Sequence, residues 1–244
     1  MHRLHGLRPD LQNRLHKEIE FLWQFLYYRN MPVTILLIAI GFILGCTDKN
    51  SHLTKTDAND PFAESVFMDP RDSSEYKIIK IGSQLWMTEN LNYDANGSVC
   101  YKNDSGNCAK YGRLYNWSAA STACPPGWHL PSSADWDKLL RYVDDSDDTS
   151  EPYDSPVAGK HLKAVKGWDD CSACANTYGF SALPGGYCYG NLCGGIGNTG
   201  RWWSNASDEN GILAYSRGLT HDKESANWFY NDKLSMYSVR CIQD

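Results

Sequence analysis

Nine cysteines are the residues in this 244-residue chain with the most chemistry available to them. Cys171 and Cys174 stand at C-x2-C spacing, and Cys188 and Cys193 at C-x4-C. Thiols so placed can oxidise to structural disulfides, exchange electrons as a redox pair, or hold zinc as a four-cysteine set. The redox reading of Cys171-x-x-Cys174 wants a thioredoxin-like strand–helix–strand context, which the surrounding sequence lacks. The zinc reading would recruit all four, although the second spacing is looser than the usual C-x2-C. The compartment decides among these, because disulfides persist only outside the reducing cytoplasm.

The ninth cysteine speaks to compartment. In "ILLIAIGFILGCTDKN", the apolar run Val33–Leu44 stops at Cys46. Twelve residues are too few to span a bilayer and suit the core of a signal peptide. Arg29 lies just upstream, and Ile43-Leu44-Gly45-Cys46 resembles a bacterial lipobox, with Leu44 bulkier than usual. We therefore expect residues 1–45 to be a signal peptide with an extended n-region, translation starting at Met1 or Met31. Cys46 becomes the lipid attachment point, and residues 46–71 a polar tether. The rival is an uncleaved helical anchor over Phe21–Leu44, which would bury Arg29 at mid-membrane. Setting Cys46 aside leaves Cys100, Cys108, Cys124, Cys171, Cys174, Cys188, Cys193 and Cys241. An even set in an exported chain reads as disulfides, in any of about a hundred connectivities.

Aromatic residues are the second chemical resource, with nine Trp and fifteen Tyr. Tyr187, Tyr189, Trp202, Trp203 and Trp228 are candidates for a sugar-stacking platform, against the plainer expectation that such rings pack a core. Neighbouring residues of a strand point to opposite sides, so Trp202 and Trp203 could bury one ring and expose the other. Residues 46–244 hold 18 basic and 26 acidic side chains. Without a basic stripe, nucleic acid is excluded as a partner. No Ser/His/Asp arrangement, phosphate-binding glycine loop or H-E-x-x-H is present, so no catalytic residue is assigned. His129 reads as a structural hydrogen-bonded histidine, and His161 and His221 lack a partner at diagnostic spacing.

Which elements would position these residues? "YKIIKIGSQLWM" predicts two short strands, Tyr76–Ile81 and Gln84–Met87, turning at Gly82-Ser83. "NYDANGSVCYKNDSGNCAKYGRLYNW" reads as a hairpin or long loop flanked by Cys100 and Cys108. "LPSSADWDKLLRYVDD" is the clearest helix. Ser132 and Asp135 have capping-box spacing, and Trp136, Leu139, Leu140 and Val143 make one apolar face. A shorter helix is expected at Trp117–Thr122, and Asp144–Pro156 is expected as an acidic surface loop. Short aromatic strands follow Gly167. Helices early and strands late indicate an α+β fold.

These segments together resemble a known family. "IGSQLWMTENLNY", "YGRLYNWSAA", "CPPGWHLPSSADWDKL", "GFSALPGGY", "GRWWSNAS" and "SVRCIQD" match, in order, the Fibrobacter succinogenes major paralogous domain family. That family is similar in turn to C-type-lectin-like and formylglycine-generating-enzyme folds. The resemblance covers roughly Asp72 to Gln243 and implies one domain over 72–244. It implies two helices, a twisted irregular antiparallel sheet, long disulfide-tied loops and export, often as a lipoprotein. A bridge Cys124–Cys241 would correspond to the long-range disulfide of lectin-like domains. Cys100–Cys108 and Cys188–Cys193 would close local loops, leaving Cys171–Cys174. A copper-oxidase role for Cys188 and Cys193 fails on order, since they precede "GRWWS" and the enzyme's pair follows it. Glu151-Pro152-Tyr153 and Asn231-Asp232 are similar to lectin calcium motifs, but the third residue of the first departs from them.

The expectation is thus a lipid-anchored bacterial envelope protein, at the outer membrane or cell surface, with a non-catalytic domain binding a glycan or a surface protein. The alternatives are a formylglycine-generating-type oxidase and a purely structural envelope protein. No cofactor is assigned, zinc and calcium being the minor candidates. Mass spectrometry of the mature N-terminus should find a diacylglyceryl group on Cys46; an intact chain with unmodified Cys46 would contradict the lipoprotein reading.

Overall fold

A computed structural model describes residues 65–171 and 173–244. Cys46, the apolar run and residues 46–64 of the expected tether lie outside the described residues. Among those described, no helix is long and apolar enough to cross a membrane.

The fold is α+β. A first sheet holds five strands in the order β1 (Ser65–Met68), β2 (Glu75–Ile81), β3 (Gln84–Met87), β13 (Ile242–Gln243) and β6 (Trp128–His129). Along β2, Tyr76 and Ile78 enter one hydrophobic cluster while Ile79 and Ile81 enter the other. Trp86 and Met87 of β3 split the same way. The middle of this sheet is therefore buried on both faces, and only Glu75, Lys77 and Lys80 interrupt β2's apolar run. Gly82 turns the chain between the two strands at φ +60°, under the Tyr142 ring.

The second sheet runs β11 (Asn227–Asp232), β10 (Leu213–Thr220), β9 (Thr199–Ser207), β12 (Tyr237–Ser238), β5 (Leu114–Tyr115) and β4 (Ser98–Val99). A hairpin of β7 (Gly185–Tyr189) and β8 (Leu192–Ile196) joins it through β9. The sheet is mixed rather than wholly antiparallel. The pairs β7–β9 and β9–β12 are parallel, each through a single residue pair. Contacts that brief leave no periodicity to read.

Four α-helices occur among the described residues, where two were expected. They are α1 (Ser105–Tyr111), α2 (Trp117–Ala123), α3 (Ser133–Asp144) and α4 (Ala158–Leu162). In α3 the Ser132 hydroxyl accepts from the Asp135 amide at 3.1 Å, and the Asp135 carboxylate accepts from the Ser132 amide at 2.9 Å. Its Trp136, Leu139, Leu140 and Val143 pack into the first cluster. Helix α1 lies inside the segment read as hairpin or loop. Asp104 caps it by accepting from Gly106 at 2.8 Å, and seven residues are too few to show an apolar period.

Described structure also precedes residue 72. Strand β1 pairs with β2 from Ser65, and Phe67 packs 5.0 Å from Trp128. Asp69, fully buried, takes a bidentate ion pair from Arg71. The segment looked like tether because three of the four β1 side chains face solvent. Tyr153 likewise corrects the acidic loop. It is buried, donates to Asp144 at 2.7 Å and receives Arg217 on its carbonyl at 2.6 Å.

Buried cations tie the layers together. Arg240 donates to Asn90 Oδ1 (2.7 and 3.2 Å) and to the carbonyls of Met87 (3.3 Å) and Phe180 (2.5 Å). Arg217 on β10 pairs with Asp137 on α3, both buried. Burial raises the Asp137 carboxyl, against the pull of Arg217. Lys163, just past α4, donates to the carbonyls of Thr220 (2.9 Å) and Lys223 (2.6 Å), pinning the end of β10.

All eight cysteines of the domain are paired: Cys100–Cys108, Cys124–Cys241, Cys171–Cys174 and Cys188–Cys193. Cys124–Cys241 spans 117 positions and fastens the end of α2 beside the last strand, whereas Cys100–Cys108 spans eight. Loop-closure entropy makes the long bridge the more stabilising by about 2 kcal/mol. Urea unfolding of the two double-alanine variants should show that difference; equal losses would mean that chain entropy is not how these bridges act.

Candidate functional site

The second sheet has two sides, and its register assigns each residue to one. Trp202 opposes Arg217, which opposes Trp228; Trp203 opposes Ser216, which opposes Phe229. Alternation then places Arg201, Gly218 and Phe229 on the Trp203 side. There the cover given by Trp203 and Ala214 against the second cluster gives way to a groove of about 350 Å³. It is lined by Tyr187, Thr199, Arg201, Asn227, Phe229 and the buried Tyr237.

Arg201 is the central group. Its guanidinium carbon sits 4.2 Å from the centre of the Phe229 ring and 5.7 Å from that of Tyr237. Its Nη1 donates to Asn231 Oδ1 at 3.2 Å, and Ser216 Oγ donates to the same oxygen at 2.7 Å. Its Nε is buried without a hydrogen-bond partner, and among the described residues no carboxylate lies within ion-pair distance. The Phe229 ring lies over Gly218, where a Cβ would stand 2.6 Å from it. Glycine is thus required for the aromatic base.

Of the residues singled out from sequence, Tyr187 lines the groove, 41% exposed. Tyr189 is 51% exposed, and its hydroxyl reaches Asp232 at 3.5 Å. Trp202 and Trp203 are not available to a ligand, being 1% and 0% exposed. They do point to opposite sides of β9, but both sides are covered. The Trp202 indole donates to Asn90 Oδ1 at 2.8 Å and the Trp203 indole to the Tyr115 carbonyl at 2.7 Å. Trp228 is on the far side, in a half-open cluster with Tyr215 and Tyr230. The Tyr215 and Tyr230 hydroxyls meet at 2.6 Å, and that bond pushes the Tyr215 phenol up to about 12.

Sequence reasoning missed Arg201, Phe229 and Gly218, and singled out Asn231 only as half of a calcium-like pair. The available signal was the cation in "GRWW", alternating with the buried Trp202.

The eight cysteines are all in disulfides, so in this state none is a thiolate ligand for zinc or copper. No group of three or more His, Cys, Asp or Glu that could hold a metal occurs among the described residues. Asn231 is occupied by Arg201 and Ser216, and Asp232 accepts from the Leu234 amide at 2.8 Å. His129 bonds Asp244 at 2.6 Å, His161 bonds Thr177 at 2.8 Å, and His221 bonds the Asp169 carbonyl at 2.9 Å.

Comparison with known proteins gives one family. The model of the Fibrobacter succinogenes major domain matches residues 79–243, and the chain belongs to that family. No curated protein and no solved structure matches it.

Titration of the denatured full chain, made without lipidation, should find one thiol, that of Cys46. Three or more would contradict the four bridges and reopen the thiolate chemistries.

Proposed function

We propose that the protein is a lipid-anchored binding module of the bacterial cell envelope, with a C-type-lectin-like domain whose Arg201 groove takes a surface glycan. The observation carrying this reading is the groove's composition. Aromatic faces for stacking, amide and hydroxyl groups for sugar hydroxyls, and one incompletely bonded cation converge in a pre-formed hollow. Four disulfides suit a domain held outside the cytoplasm by an acyl anchor at Cys46. The long bridge Cys124–Cys241 and the irregular mixed sheet support the lectin-like assignment. The oxidase alternative needs Cys188 and Cys193 as thiols, and their disulfide speaks against it.

A glycan array probed with the full chain tests the reading. Binding to one class of surface polysaccharide is expected. Phe229→Ala should weaken it about tenfold, the scale of one lost stacking contact. Trp228→Ala, on the opposite side of the sheet, should leave it unchanged. A flat array would point instead to a structural envelope protein.

A further inference from the structure

We infer that the Cys100–Cys108 bridge is a reducible latch on helix α1. A dithiol opens it, the Arg113 guanidinium stabilises the thiolate that leaves, and α1 comes free. The latch is independent of the groove and of what the groove binds.

Strand register places the cation. Ser98 pairs with Tyr115 and Val99 with Leu114, so the next cross-strand step sets Arg113 opposite Cys100. Each nitrogen of the guanidinium then has its own contact. Nε donates to Ser98 Oγ at 2.9 Å, and Nη2 pairs with Asp94 at 2.6 Å. Nη1 lies 3.9 Å from Cys100 Sγ and 4.0 Å from Cys108 Sγ. An intact disulfide offers a cation no charge to meet, whereas the thiolate formed on cleavage does. A positive charge beside sulfur favours the thiolate and makes it the better leaving group. Arg113 is therefore placed to stabilise the opened state.

The chemistry is thiol–disulfide exchange. Cys100 is half-buried and Cys108 is buried, so the incoming thiolate attacks Cys100 Sγ. A mixed disulfide forms, the Cys100–Cys108 bond breaks, and Cys108 leaves as a thiolate against Nη1. The second thiol of the reductant, once deprotonated, attacks its own sulfur in the mixed disulfide and releases Cys100. Two electrons pass from the dithiol, which ends as a disulfide, and its two protons balance the two cysteine thiols.

The bridge matters to what surrounds it. Seven residues are too few for α1 to persist alone, and its other tie is the Asp104 cap. Cys108, Lys110 and Tyr111 line a cavity of about 290 Å³, and the Tyr111 carbonyl accepts from the Asn90 amide at 2.8 Å. Opening the latch loosens one side of that cavity and the acceptor of a buried amide.

The full chain, made without lipidation, is treated with dithiothreitol in native buffer. Thiols opened at each time are alkylated and mapped by mass spectrometry. Cys100–Cys108 should open with the fold intact, and hydrogen exchange should rise across α1 but not across β10. Arg113→Met should slow that opening about threefold or more, while the other three bridges keep their rates. Asp94→Asn, which removes the competing carboxylate, should speed it. In the opened protein, Cys108 should reach half its maximal alkylation rate about one pH unit lower with Arg113 than with Met there. Equal opening rates and equal alkylation profiles with and without Arg113 would overturn its role. Opening without added exchange across α1 would overturn the latch, and opening only on global unfolding would overturn both.

Discussion

The structure turns on a buried charge with no carboxylate in ion-pair reach among the described residues. Arg240 is wholly buried, and its partners are one side-chain amide and two main-chain carbonyls. Burial lowers the guanidinium to about 9, against an upward pull from Glu89. A buried cation is tolerable only when its donors are satisfied, which obliges three segments to meet around it. Met87 and Asn90 come from the end of β3 and the loop beyond, and Phe180 from the loop before β7, its ring 4.6 Å from the guanidinium. The end of β3, the loop before β7 and the segment between β12 and β13 are thus closed on one another by one side chain.

The same network reaches the groove. Asn90 Oδ1 accepts from Arg240 and also from Trp202, while the Asn90 amide donates to the Tyr111 carbonyl at 2.8 Å. Trp202 stands next to Arg201 on β9, so the strand presenting the groove's cation is held by the residue that satisfies the buried one. The Arg217–Asp137 pair fixes the neighbouring strand to α3, and Lys163 fixes its end. Groove residues therefore sit on strands anchored from the opposite side. That holds the groove residues in place before any ligand arrives.

Local signals were legible. β3 has the bounds read from its sequence, β2 begins one residue earlier, at Glu75, and the capping box and apolar stripe of α3 are where Ser132 and Trp136 placed them. Non-local features were not. Strand β1 is four residues long, pairs through its backbone and exposes Val66 and Met68, so its apolar residues show no alternation. Helix α1 is held by one cap and a disulfide rather than by an apolar face. Alternation correctly set Trp202 and Trp203 on opposite sides, yet could not show that both sides are covered. The cation in "GRWW" was the only local trace of Arg201, because its setting comes from Phe229 and Asn231, on β11, the second strand over in space.

The most direct test of this account is a double-mutant cycle between Asn90→Ala and Arg240→Met, read by urea unfolding. Residues sharing one buried network should couple by more than about 1 kcal/mol, the two single losses summing to well over the double loss. Additivity within about 0.5 kcal/mol would show that the two residues act independently and that the fold does not depend on their junction.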